Sequence, residues 1–184
     1  AIEGAMSGFL AGYRAQLEAA LAKTPESASG EAWREEIARI DAGRALYPDE
    51  VLGVGRAQRI GGRIDVHVAA DATTAADAWV FDRDSRVLVA GDLVTLPAPF
   101  FDTACPAGWR RALDTLARQP FAVLVPGHGA PMKREAFERY RSAFGALVDC
   151  AASEAPADRC IAGWLAGAGD LVPERDVAHA RSLL

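Results

Sequence analysis

Two stretches decide the fold: Val87-Leu88-Val89-Ala90-Gly91-Asp92 and Val123-Leu124-Val125-Pro126-Gly127-His128-Gly129. Each is a short apolar run rich in β-branched residues and closed by glycine, the signature of a buried strand. Each also delivers one polar side chain at its end: a carboxylate after Gly91, and an imidazole between Gly127 and Gly129. A carboxylate and an imidazole at the ends of neighbouring buried strands share one edge of a sheet. Layered α/β proteins place their sites at that edge, because strand ends fix side chains while loops leave room for a ligand. The glycines allow sharp turns and close backbone approach. Asp oxygen and His nitrogen are both good ligands for zinc or iron. The plain alternative is an Asp bonded to the amides of the next turn and a structural His.

Working outward, Arg63 to Ala69 alternates, with Ile64, Val66 and Val68 on one face and Arg63, Asp65 and His67 on the other. This reads as a half-buried strand with its polar face outward. Gly61-Gly62 precedes it as a hairpin turn, with Arg56 to Ile60 as the partner strand. Ala78 to Phe81 and Arg86 to Ala90 form a second strand pair around the turn Asp82-Arg83-Asp84-Ser85, so that Asp92 follows the strand. Gly108 to Arg118 reads as a helix with Trp109, Leu113 and Leu116 inward, Phe121 to Val125 as a buried strand, and Lys133 to about Asp149 as a long helix. Two short helices follow, around Arg159 to Ala166 and Glu174 to Leu184. At the other end, residues 2 to 22 are helical by period, and Ser29 is placed to cap a second helix reaching about Arg44, closed by Tyr47-Pro48-Asp49. The order is helices, then antiparallel hairpins, then strand–helix–strand–helix, which is a mixed α/β layered domain. It is read as one domain, with a helical segment over 1–48, sheet and motifs over 55–150, and closing helices over 151–184.

The bulk composition bounds the partners. The 184 residues are half apolar and carry a net charge of -5 without a basic block, which excludes global disorder and argues against nucleic acid or an anionic membrane as partner. No apolar run is long enough to span a membrane. The first six residues carry an acid and no basic region, unlike a secretory signal, and the missing initiator Met suggests a mature product or a fragment. Cys150 and Cys160 flank a helix-to-helix connection. A disulfide there would tie the two helices and place the protein in an oxidising compartment such as the periplasm or outside the cell. The alternative is two buried thiols in the cytoplasm. Cys105 would be left free. With Asp102 it lies in the loop after Asp92, within reach of His128 if that loop folds back, the ingredients of a Cys–His pair. There is no nucleophile elbow, phosphate-binding loop or dinucleotide fingerprint.

The stretch from Ala76 to Asp92, a hairpin leading to Gly-Asp, resembles the fourth-motif region of the metallo-β-lactamase superfamily. Phe121 to Gly129 resembles its fifth motif, usually Pro-Gly-His-Gly. The order Gly-Asp, loop, Trp-containing helix, short strand, Pro-Gly-His-Gly, long helix follows the superfamily over residues 60 to 150. The resemblance implies a metallo-β-lactamase-like αββα sandwich, of which this chain carries only part. It implies Asp92 and His128 as metal ligands and catalytic residues around zinc, with iron or manganese as alternatives. The reaction would be hydrolysis of a small-molecule ester, thioester, amide or phosphoester. Thr73, Phe100 and Phe101 are placed at the substrate pocket.

The chain departs from the family in two places. The His-x-His-x-Asp-His motif is absent; the three histidines are His67, His128 and His179. At the start of the hairpin, where the family has a His before Thr or Ser, the fitting position is Thr73, a poor zinc ligand. His67 lies six residues too early, and His179 reads as a surface residue of the last helix. A catalytic zinc takes about three protein ligands and one open position. The rest of such a site would come from an N-terminal half or a second chain. The competing expectation is a degenerate, non-catalytic binding protein of the same fold.

Overall fold

The computed structural model describes residues 2–43, 52–55 and 57–184. The chain divides into two compact units, Ala1–Val51 and Leu52–Leu184. In the first, helices α1 (Ile2–Lys23) and α2 (Ala28–Asp41) form a hairpin. The cap of α2 is Ser27, two residues earlier than Ser29: its hydroxyl accepts from the Gly30 amide at 3.0 Å. A side chain on Gly30 would run into the Pro25 carbonyl at 2.6 Å, so glycine is what lets the connection fold under the helix. Arg14 fastens the hairpin by bonding Asp41 and Glu18, both at 2.7 Å. The ending around Tyr47-Pro48-Asp49 lies outside the described residues.

The second unit is built on a five-stranded sheet in the order β1-β2-β3-β4-β5. The strands are β1 (Gln58–Ile60), β2 (Ile64–Ala70), β3 (Ala76–Asp82), β4 (Val87–Thr95) and β5 (Val123–His128). The first four pair antiparallel, and β5 joins β4 in parallel. Gly61 and Gly62, at φ +57° and +78°, make the β1–β2 turn that their sequence suggests. Arg56 is outside the described residues. Helices α3 (Pro106–Ala117), α4 (Arg134–Ala151), α5 (Ala157–Ala168) and α6 (Val177–Leu183) complete the unit, with 3-10 turns at Gly169–Leu171 and Glu174–Asp176.

The register shows which side of the sheet is the core. Asp65 pairs with Phe81, His67 with Trp79, Phe81 with Leu88, and Leu88 with Leu124. Trp79, Phe81, Leu88, Ala90 and Leu124 are buried together with Trp109, Leu113 and Leu116 of α3 and Phe137, Tyr140 and Phe144 of α4. Burying such side chains contributes on the order of 1.5–3 kcal/mol each. The face reading of β2 is therefore reversed. Asp65 and His67 are on the covered side, and Ile64, Val66 and Val68 are on the other. The covered side tolerates them because each has a partner: Arg59 and Arg83 bond the Asp65 carboxylate at 2.9 and 2.5 Å, and the His67 ring stacks on Trp79 at 3.8 Å.

The opposite face carries Ile64, Val66, Val68 and Ala70 of β2, Ala78 and Val80 of β3, Val87 and Val89 of β4, and Val123 and Val125 of β5. None is fully buried, and Val89 is 41% exposed. Cys150 and Cys160 are joined, their Cα atoms 5.5 Å apart, linking α4 to α5. Among the described residues no helix is long and apolar enough to cross a membrane.

Candidate metal centre

Asp92 does not end its strand. β4 shifts register between Val89 and Gly91, then runs three residues beyond Asp92 to Thr95. The irregularity turns the Asp92 side chain into solvent, 60% exposed, between buried Ala90 and buried Leu93. Gly91 takes φ +55° to make it. On the neighbouring parallel strand Pro126 pairs with Gly91 and His128 with Thr95, which brings His128 to the same edge. Its Nε2 lies 3.6 Å from Asp92 Oδ1, with the imidazole 57% exposed. Any Cβ at position 127 would overlap the Asp92 carboxylate, so the glycine before His128 is the space in which Asp92 sits.

Around this pair, Phe100 meets the His128 ring edge-on at 5.6 Å. Phe101 points elsewhere, into the core against Trp109 and Phe144. A cavity of about 650 Å³ opens beside Leu96, Pro97 and Gly129, with Lys133, Arg139, Asp170 and Arg175 in its wall. Arg139 is held by Asp170 at 2.6 Å.

The donor chemistry of Asp92 and His128 fits a metal as far as it goes. A carboxylate oxygen and an imidazole nitrogen on one tetrahedral zinc stand about 3.3 Å apart, and here they stand at 3.6 Å. The count stops at two: among the described residues no group of three or more His, Cys, Asp or Glu side chains is placed to hold an ion.

Thr73 is at the same edge but turned inward. It is 6% exposed, its hydroxyl donates to Asp77, and its carbonyl accepts from the Thr103 hydroxyl at 2.9 Å. Thr74 supplies the Asp77 carboxylate with an amide bond at 3.0 Å and a hydroxyl bond at 2.9 Å. Sequence reasoning passed over Asp77. The signal was there: an Asp three and four residues after two threonines, at the first turn of a strand, is placed to cap that turn.

His67 is on the covered face of β2, and burial pushes its imidazole below the ordinary 6.5. His179 is exposed on α6. Cys105 is a free, exposed thiol at the residue preceding α3; its amide donates to Ala72, and its described contacts do not include His128. Asp102 is in the turn before it.

No family profile matches the chain, and no curated relative matches it. Solved structures similar to it over part of its length are metallo-β-lactamases. The enzyme from Pontibacter korlensis shares 24% identity at a TM-score of 0.45, over 60% of this chain and 55% of that one. The enzyme from Hirschia baltica shares 20% at 0.43, over 54% of this chain and 50% of that one. The chain spans about half the length of each.

Proposed function

We propose that this chain is one half of a metal-dependent hydrolase of the metallo-β-lactamase type, and that Asp92 and His128 are its share of the metal ligands. The observation that carries the reading is the pair itself: two exposed ligand atoms 3.6 Å apart at one sheet edge, with a glycine leaving the space. The substrate is a small molecule with an ester, thioester, amide or phosphoester bond. When bound, zinc, iron or manganese would supply Lewis-acid polarisation of the carbonyl or phosphoryl oxygen. The chain's own residues would hold the ion from one side, with Phe100 edge-on against the His128 imidazole. Thr73, buried against Asp77, and Phe101, packed on Trp109 and Phe144, do not line the cavity beside Gly129.

The missing ligands come from a second layer, an N-terminal half or another chain, packed on the apolar face of the sheet. A sheet stabilised on one side and apolar on both is the inner half of a sandwich. The disulfide favours an oxidising compartment, periplasmic or extracellular. A second reading, a non-catalytic binding protein, is favoured by one feature: the Thr73 hydroxyl is committed to Asp77 and offers nothing to a metal. Elemental analysis of the protein produced from its whole reading frame separates the two. Close to stoichiometric zinc, iron or manganese, lost in His128→Ala, supports the hydrolase; metal no higher than in that variant sinks it.

A further inference from the structure

The segment that follows Asp92 is held by its backbone at every second residue, each time by an aromatic side chain from a different helix. Trp109 of α3 donates its indole N–H to the Leu93 carbonyl at 2.9 Å. Tyr140 of α4 accepts the Thr95 amide on its hydroxyl at 3.3 Å. Trp164 of α5 donates its indole N–H to the Pro97 carbonyl at 3.0 Å. All three side chains are fully buried. They also touch in a row: Trp109 packs on Phe144 at 4.8 Å, Phe144 on Tyr140 at 6.4 Å, and Tyr140 on Trp164 at 5.6 Å.

Core packing alone does not ask for this. Buried Trp and Tyr need a partner for their polar atoms, but any carbonyl or amide nearby would serve. Here all three partners fall within five consecutive residues, and those residues lead into the candidate metal centre from both sides. Leu93 is the residue after Asp92. Thr95 is in register with His128, and the Leu96 amide donates to the His128 carbonyl at 3.0 Å. The Leu96 side chain lies against Gly129. Moving this segment moves both candidate ligands.

We infer that Trp109, Tyr140 and Trp164 are positioning residues: a three-point aromatic clamp by which the helical layer fixes the relative placement of Asp92 and His128. The bonds are well suited to this. Those to Leu93 and Thr95 are made in the dry core, where the local dielectric strengthens them, and that to Pro97 is partly buried. They also join rigid helices to the strand, so the site inherits its geometry from elements and not from loops. Burial pushes the Tyr140 phenol up to about 12, so its hydroxyl stays protonated and neutral across the working range. The inference deepens the metal reading above and rests on it only for its affinity test.

The experiment uses Tyr140→Phe and Trp164→Phe, which remove one bond each and keep most of the ring packing. Phe137→Leu is the control, a buried aromatic change on α4 whose ring packs on Phe121 and makes no hydrogen bond to the five residues. Two quantities are read in the whole chain: the His128 imidazole NMR chemical shifts at one fixed pH, and zinc affinity by competition with a chromogenic chelator. The clamp predicts altered His128 shifts in both bond-removing variants and none in Phe137→Leu, whatever each variant does to stability. It predicts zinc binding weakened by about 10-fold or more, as for other residues that orient metal ligands. Unchanged His128 signals in Tyr140→Phe and Trp164→Phe, or an equal change in Phe137→Leu, would overturn the clamp. Zinc binding absent from the wild type, with the His128 pattern as predicted, would overturn the metal reading and leave the clamp standing.

Discussion

Asp65 and His67 show how single residues set the pH response of this protein. Both are on the helix-covered face of β2, and both are held below their ordinary pKa: Asp65 by the Arg59 and then the Arg83 guanidinium, against burial, and His67 by burial. Each binds fewer protons folded than unfolded, so each contributes stability that is lost as pH falls. For His67 the loss begins below its unfolded value of 6.5; for Asp65 it begins below 3.8. Chemical denaturation at a series of pH values should show a first decline below about pH 6.5 that His67→Gln flattens. A curve unchanged by His67→Gln would show that His67 does not sense pH. Gly127 is a second single-residue test. Gly127→Ala places a methyl where the Asp92 carboxylate sits. It should weaken zinc binding at least as much as Asp92→Asn, and it should also lower the melting temperature, because the same methyl meets the Gly91 backbone at 2.7 Å. Zinc binding equal to wild type would show that the space at position 127 does not matter to the pair.

The elements explain what the sequence made legible. The two strands that carry Asp92 and His128 could be read because β-branched runs are local signals, as was the helical stripe Trp109-Leu113-Leu116. Which face of β2 lies under the helices could not be read. Alternation sorts side chains into two sets, but the choice between them is made by the neighbour, Trp79 and Phe81 on β3, through a register known only once the hairpin is folded. Two arginines from outside β2 then make a buried aspartate acceptable, a long-range pairing that one strand does not advertise. Asp92 lies inside a strand for a similar reason: the register shift before it depends on β5. The aromatic clamp was invisible because Leu93, Thr95 and Pro97 contribute only backbone.

The α4–α5 tie is the element-scale prediction. Cys150 and Cys160 are 10 residues apart and flank a connection with few buried residues. Closing a loop of that size constrains the unfolded chain by roughly 2–4 kcal/mol. Reduction, or Cys150→Ala with Cys160→Ala, should lower the denaturation free energy by that amount and leave Trp164 buried. A loss well under 1 kcal/mol would show that the helices hold together without it.

At the scale of the whole molecule, the unit from Leu52 to Leu184 is a sheet with helices on one side and an apolar face on the other. A contiguous apolar face that its own unit leaves only partly covered is a candidate interface. Val89, in the middle of that face, is 41% exposed. Val89→Glu should change the unit's own stability by only about 0.5 kcal/mol, as surface substitutions do. It should also abolish any concentration-dependent association seen by sedimentation velocity, and block completion of the site by the second layer. A wild type that stays monomeric at high concentration and binds metal fully on its own would show that the face has no such role.

If Asp92 and His128 form one side of a metal site, zinc titration followed through the His128 imidazole resonances, in the wild type and in Asp92→Asn, should read it out. A saturable shift is expected at His128, absent from His67 and His179 and strongly reduced in Asp92→Asn. A His128 signal that zinc leaves in place, or moves equally in Asp92→Asn, would contradict it.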